Sequence, residues 1–333
     1  MKKQLQNTIN LNVFGAKIKI EAPKKIVKHI KHDYFKYVSD KKFEKIDFKF
    51  ILIKKNPKKI NFPNLIATKY HDDYIVYEKK DIRVIDYFGK TRIFYDIPNR
   101  IIKIYSNSEN LIYDAFYTAF EANLGDLLDK KGFHRIHCLA LEKDEKATLL
   151  LLPPGAGKTT LALKFLKNKE INVLSEDIVL FKNKKLHGLH FRWGTREKTK
   201  HKSRILKREK HHQKYLINTK HLNLSNIAKP KNIIMGQRSL SNKPYIKKMA
   251  KSKLILPLFK SMVLGLELQQ SLAYFLLRNY KDAFSKINIG ISRLNSLRNI
   301  ISKSKTYRFI IGQDINKNYN LLCNLINNHN SDK

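Results

Sequence analysis

Apolar and polar residues alternate through "TINLNVFGAKIKIEA" around Gly15. The runs "DFKFILIKK", "YIVYEKK" and "DIRVIDYFGKTRIFYDI" follow, short, β-branched and aromatic, and separated by turns. A period of two over runs of this length is the mark of strands. Residues 1–107 are therefore expected to form a β-rich region. From Asn107 the period lengthens: "NSENLIYDAFYTAFEANLGDLLDKKG" carries apolar residues at helical spacing, with a Ser or Asn cap at its start and Gly132 after it. That pattern predicts a helix and a domain or subdomain boundary near residue 107, with 108–333 as the second region.

The second region opens on "HRIHCLALEKDEKATLLLLP", which reads as two strands joined by the charged turn "EKDEK". The second strand runs straight into glycines. After them "KTTLALKFLKN" places Leu161, Ala162, Phe165 and Leu166 on one side of an expected helix, and "INVLSEDIVLF" and a hairpin through "KNKK" to "LHGLHF" follow. Strand, glycine turn, helix and strand in that order define an α/β layout. From about residue 196 to about residue 253 the chain is polar, basic and poorly periodic, so loops with short elements are expected, a composition often found in substrate-facing segments. A helix around residues 258 to 287, a strand "TYRFIIG" and a last helix "INKNYNLLCNLINN" complete the expected C-terminal part. The apolar region "LILPLFKSMVLGLELQQSLAYFLL" is broken by Pro257, Lys260 and Glu267, and reads as a buried or surface-lying helix rather than a membrane span.

Composition narrows the picture only in part. With 333 residues, 42% hydrophobic and 29% charged, the chain is long and apolar enough for a sizeable core. Its net charge of +39 raises affinity for polyanions in general and names no partner. The basic excess is densest from about residue 182 to about residue 260, where Glu197 and Glu209 are the only acids. Such a stretch suits a phosphate-rich ligand or an acidic protein, and equally a solvated basic surface. No zinc finger, RNA-recognition signature or helix-turn-helix pattern accompanies it, so specific nucleic-acid binding is not expected. Cys138 and Cys323 are too few for a disulfide framework or a thiolate metal site and suit a reducing compartment. The start "MKKQLQNTINLNVFG" lacks the apolar run of a secretory signal, and a cytoplasmic location is expected.

The chemistry concentrates in "LLLLPPGAGKTTLALKF", residues 149–165. A phosphate-binding loop has the pattern Gly, four residues, Gly-Lys-Ser/Thr, in which backbone N–H groups and a helix N-terminus face the phosphates. Gly157, Lys158 and Thr159 fit, Gly155 adds freedom, and the first Gly position holds Leu152. Gly155, Ala156, Gly157, Lys158, Thr159 and Thr160 are the candidate nucleotide-binding residues. Lys158 has the reach for the β- and γ-phosphates, and the Thr159 hydroxyl suits Mg²⁺. A dinucleotide fingerprint would need a third small residue at position 160, where Thr160 stands, and would leave Lys158 without a role.

Glu176 and Asp177 end an apolar strand about twenty residues beyond the lysine, where a carboxylate pair can hold Mg²⁺ and take a proton from an attacking hydroxyl. The succession "IHCLALEKDEKATLLLLPPGAGKTTLALKFLKNKEINVLSEDIVLF" resembles the core of HPr kinase/phosphorylase and, more closely, the HPr-kinase-related P-loop proteins, most of it between Gly132 and Phe181. The resemblance implies an α/β P-loop kinase core of the type shared with phosphoenolpyruvate carboxykinases, in which ATP and Mg²⁺ phosphorylate a hydroxyl. It gives His137 a catalytic position in the strand before the loop, Lys158 and Thr159 the phosphate and metal roles, and Glu176 with Asp177 the place of an Asp-Asp pair. Glu176 is one methylene longer than that pattern, which leaves Asp177 as the metal ligand. The family's Arg-Gly-rich signature for phosphorylase activity is not found here.

In "HFRWGTRE", Arg192 and Arg196 are candidate fork donors to substrate phosphate, or ordinary surface arginines. His134, His187, His190 and the pair in "KHHQK" have no ligand cluster at matching spacing and are expected at the surface. The leading expectation is an ATP-dependent kinase acting on a hydroxyl of a peptide, protein or small molecule. The alternative is a nucleotide-binding regulatory module that grips an acidic partner without turnover.

Overall fold

The computed structural model describes residues 7–153, 155–196, 198, 203–206, 213–264 and 280–328. The chain is a mixed α/β protein built on large sheets, divided into two compact units. Met1–Leu127 with Gly194–Lys220 forms the first, and Leu128–Trp193 with His221–Lys333 the second.

In the first unit the alternating N-terminal pattern becomes a hairpin of β1 (Asn7–Val13) and β2 (Ala16–Ala22), turned through Phe14 and Gly15, both at positive φ. Its other strands are β3 (Val38–Ser39), β4 (Phe48–Lys54), β5 (Ile66–His71), β6 (Tyr74–Lys79), β7 (Ile82–Asp86), β8 (Thr91–Asp96) and β9 (Ile101–Ser106). They form one sheet in the order β3-β1-β2-β4-β9-β8-β7-β6-β5. The helix α1 (Lys24–Asp33) interrupts the strands, with Ile26 and Ile30 buried one turn apart, a spacing hidden among its four lysines. The next helix, α2 (Glu109–Lys130), contributes Phe116 and Phe120, whose rings meet Tyr34 and Phe50 edge-on or tilted.

The Asp33 carboxylate is buried at the end of α1, where it accepts hydrogen bonds from the Tyr113 hydroxyl and, at 2.6 Å, from Arg204. Arg204 thus ties the returning segment Gly194–Lys220 into the first unit. A small sheet in the order β16-β18-β17 joins β16 (Trp193–Thr195), β17 (Ser203–Leu206) and β18 (Lys214–Ile217).

The second unit holds β10 (His134–His137), β11 (Leu139–Lys143), β12 (Lys146–Leu151), β13 (Asn172–Ser175), β14 (Ile178–Lys182), β15 (Lys185–Gly188), β19 (Ile227–Arg238), β20 (Tyr245–Lys248) and β21 (Lys305–Ile311). The sheet path is β10-β14-β15-β19-β12-β11-β13, with β21 beside the later part of β19 and β20 beyond it. Its helices are α3 (Lys158–Phe165), α4 (Ser252–Leu258), α5 (Tyr280–Lys303) and α6 (Ile315–Asn327). Leu254 and Leu258 of α4 and Leu297, Ile300 and Ile301 of α5 join the core over β12, β14 and β19.

Three details differ from the sequence reading. The run from His134 to Lys143 is not one strand but two, divided at Cys138. Within the expected loop-rich stretch, β19 is a 12-residue strand lying parallel between β12 and β21. Proline is rare within a central strand; Pro230 is accommodated where the β12 register shifts, between Ala147 and Thr148. The helix expected around 258 to 287 is described only as α4, a π-helical turn at Phe259–Leu264 and the start of α5, with residues 265–279 outside the described residues. Among the described residues no helix is long and apolar enough to cross a membrane.

Candidate functional site

The parallel strands β12, β19 and β21 all point their C-terminal ends toward one edge of the sheet, the edge at which α/β proteins bind ligands. From the end of β12 the chain turns through Leu152 to Gly157 and enters α3. Gly155 has φ +76° and Gly157 φ +87°, left-handed values that a side chain would strain. The Ala156 N–H donates to the Pro153 carbonyl at 3.1 Å, closing the turn. Gly157 caps α3, whose first-turn N–H groups have no intrahelical partner and carry the positive end of the helix dipole. Lys158, Thr159 and Thr160 occupy that turn, while Leu161, Ala162 and Phe165 anchor the helix from its buried side.

Leu152 now has a physical account. Its side chain is buried over Gly236 of β19, so that a Cβ on Gly236 would lie 2.3 Å from Leu152 Cδ2 and 3.0 Å from Ile311 Cδ1. The space made by the missing glycine side chain on β19 is filled by the leucine that replaces glycine in the loop. Gly236→Ala is expected to lower stability by about 1–3 kcal/mol through overpacking. Urea unfolding checks this, and Leu152→Ala in the same chain should recover part of the loss.

The catalytic candidates converge on this loop. The strand pair β10/β14 and the pair β11/β13 are joined by adjacent chain crossings, Cys138 on one side and Glu176–Asp177 on the other, with the Cys138 N–H donating to the Asp177 carbonyl at 2.9 Å. A break in pairing of this kind re-aims side chains. Here the Thr159 hydroxyl donates to the Glu176 carboxylate, His137 Nε2 lies 3.1 Å from Asp177 Oδ1, and Lys158 Nζ lies 2.5 Å from the same His137 Nε2. Lys158 also donates to the Leu152 carbonyl at 3.2 Å.

A single ring nitrogen cannot donate to Asp177 and accept from Lys158 at once. The two contacts therefore belong to different proton positions. An anion that draws Lys158 away leaves His137 Nε2 to Asp177. Among the described residues His137 Nδ1 is buried without a hydrogen-bond partner, so none of them locks the ring from its other side.

Burial pushes the Glu176 carboxyl up to about 7, and the Asp177 charge beside it adds to the rise, against the Thr159 hydrogen bond and the charges of Lys158 and His137. The Asp177 side chain is half exposed. Two carboxylates and a hydroxyl are hard oxygen donors of the kind Mg²⁺ prefers, and that ion takes its remaining ligands from phosphate and water. They fit it as a partial set, since among the described residues no three His, Cys, Asp or Glu side chains converge as a metal cage.

Of the other sequence candidates, Arg192 is half-buried after β15 and Arg196 is exposed after β16, and the contacts just named involve neither. The expectation of surface histidines is corrected at two positions. His134 and His190 are buried, the former between Asp129, 2.9 Å from Nδ1, and Ser292, 2.8 Å from Nε2. Asp129 lies in α2 and Ser292 in α5, a pairing over a sequence distance that no local pattern reveals. His187 is half-buried, and the "KHHQK" pair lies outside the described residues. Sequence reasoning also missed Arg238, at the end of β19, which donates to the Gly155 carbonyl at 3.3 Å. No protein-family model matches the chain, and no curated protein matches it.

Proposed function

We propose that the chain is an ATP- and Mg²⁺-dependent kinase that transfers a phosphoryl group to a hydroxyl of a peptide, protein or small-molecule acceptor. In this reading the second unit is a P-loop core of the HPr kinase and phosphoenolpyruvate carboxykinase type. The observation that carries it is the meeting of Lys158, Thr159, Glu176, Asp177 and His137 at one glycine turn on a helix N-terminus. The first-turn amides of α3 and Lys158 hold the β- and γ-phosphates. Thr159 and Asp177 would hold Mg²⁺, which supplies charge neutralisation on the phosphates when bound.

As the acceptor oxygen bonds to the γ-phosphorus and the bond to the ADP oxygen breaks, the acceptor proton passes to the Asp177 or Glu176 carboxylate. His137 orients Asp177 from its Nε2. A carboxyl near 7, as in Glu176, changes its proton state readily at neutral pH. The test is Mg-dependent ATP turnover, measured with water as the acceptor. Asp177→Asn is expected to slow it by about 10²- to 10⁴-fold. Equal turnover in variant and wild type would sink the kinase assignment; ATP binding with no turnover in either would favour a regulatory nucleotide-binding module.

A further inference from the structure

The core helices cover β19 and β21 only part of the way. On one face of this parallel pair Ile233 is buried and Met235 partly so, but Gln237 near the end of β19 is exposed, as is Arg238, the next residue, on the opposite face. Across the ladder Met235 faces Arg308 and Gln237 faces Ile310. The result is an open groove of about 700 Å³ beside the phosphate loop, lined among others by Pro153, Gln237, Arg238, Ser239, Arg308 and Ile310.

Two arginines line it, and no acidic residue does among the described residues that line it. Arg308 is held in place by Gln237, whose Oε1 accepts from Arg308 Nε at 2.9 Å and also from its Nη2. Arg238 is held by the Gly155 carbonyl. Each arginine uses one or two of its five N–H donors on a neutral oxygen in these bonds, and the rest of the fork keeps its full positive charge. A planar fork fixed in this way matches an oxyanion in two-point fashion.

We infer that this groove binds an anionic group of the phosphoryl acceptor, a phosphate or a carboxylate, at Arg308, with Arg238 lining the same groove. The inference rests on the kinase reading for the word acceptor, while the anion site itself stands on the groove. The phosphates of a nucleotide already have the α3 amides and Lys158. Its base and ribose carry no charge to answer two arginines. The acceptor is then an acidic or already phosphorylated molecule, anchored on one side of the loop while its hydroxyl reaches the phosphate.

The experiment uses the full chain saturated with Mg²⁺ and a non-hydrolysable ATP analogue, and inorganic phosphate as the probe, followed by calorimetry. Arg308→Gln is expected to weaken phosphate binding about tenfold or more, with Arg308→Lys intermediate because a point charge replaces the fork. Nucleotide affinity of Arg308→Gln should stay within about twofold of wild type. Unchanged phosphate binding in Arg308→Gln overturns the site, and so does loss of nucleotide affinity with phosphate binding intact, which would give the groove to the nucleotide. If wild type binds no nucleotide but Arg308→Gln still removes phosphate binding, the kinase reading fails and the anion groove survives. Circular dichroism of each variant separates these outcomes from misfolding.

Discussion

Lys158→Ala is expected to raise the dissociation constant for Mg-ATP by on the order of 30- to 150-fold. The figure follows from losing a charge-assisted contact to phosphate worth about 2–3 kcal/mol, with tenfold in affinity for each 1.4 kcal/mol. Part of the wild-type gain is offset because Lys158 must leave His137 and the Leu152 carbonyl to meet the phosphate. The helix N-terminus and the turn glycines stay in place in the variant, so binding should weaken and not vanish. Direct titration of Mg-ATP measures it. Equal affinity in the two proteins would remove the nucleotide from the loop and with it both the kinase and the regulatory-module readings.

The second large effect is on stability. The Asp129 carboxylate is fully buried and accepts from Arg293 Nη2 at 2.5 Å and Nε at 3.2 Å, with His134 Nδ1 at 2.9 Å. Burial alone would push this carboxyl up. The hydrogen bonds from His134 and Arg293, with the charges of Arg293 and Arg135, outweigh it and hold the group below its ordinary range. Asp129→Asn keeps the shape and removes the charge that answers a buried guanidinium. Breaking a buried pair from one side costs about 3–5 kcal/mol, whereas replacing both partners by apolar groups of similar volume is often close to neutral. Asp129→Asn should therefore lower the melting temperature by roughly 10 °C or more, and the double change Asp129→Leu with Arg293→Met should recover most of it. A loss under about 1 kcal/mol in Asp129→Asn would show the network to be solvated enough to do without its carboxylate.

These two sites were legible to different degrees. The turn from β12 into α3 and the acidic pair after β13 could be read from residue type and spacing, because their geometry is local: glycines where φ is positive, an apolar strand before, an amphipathic helix after. That Thr159 meets Glu176, and His137 meets Asp177, depends on two strand pairs interrupted at the same level, which the runs of apolar letters hid. The strand β19 was obscured by Pro230 and its lysines, and with it Gly236 and Arg238. Leu152 looked like a defect because its partner lies 84 positions away by number, on a strand the pattern did not mark. His134 looked like a surface residue because Ser292, one of its two partners, lies 158 positions away in the sequence.

The return of Gly194–Lys220 to the first unit sets a timetable for synthesis. When the ribosome has delivered Leu127, the nine-stranded sheet has all its strands, yet Asp33 still lacks Arg204, which lies 77 residues further along the chain. The second unit is interrupted in its turn and waits for β19 and β21, the strands that carry the groove and support the loop. Neither unit is a contiguous stretch of chain, so a cut at residue 107 or 127 would yield fragments missing their own parts.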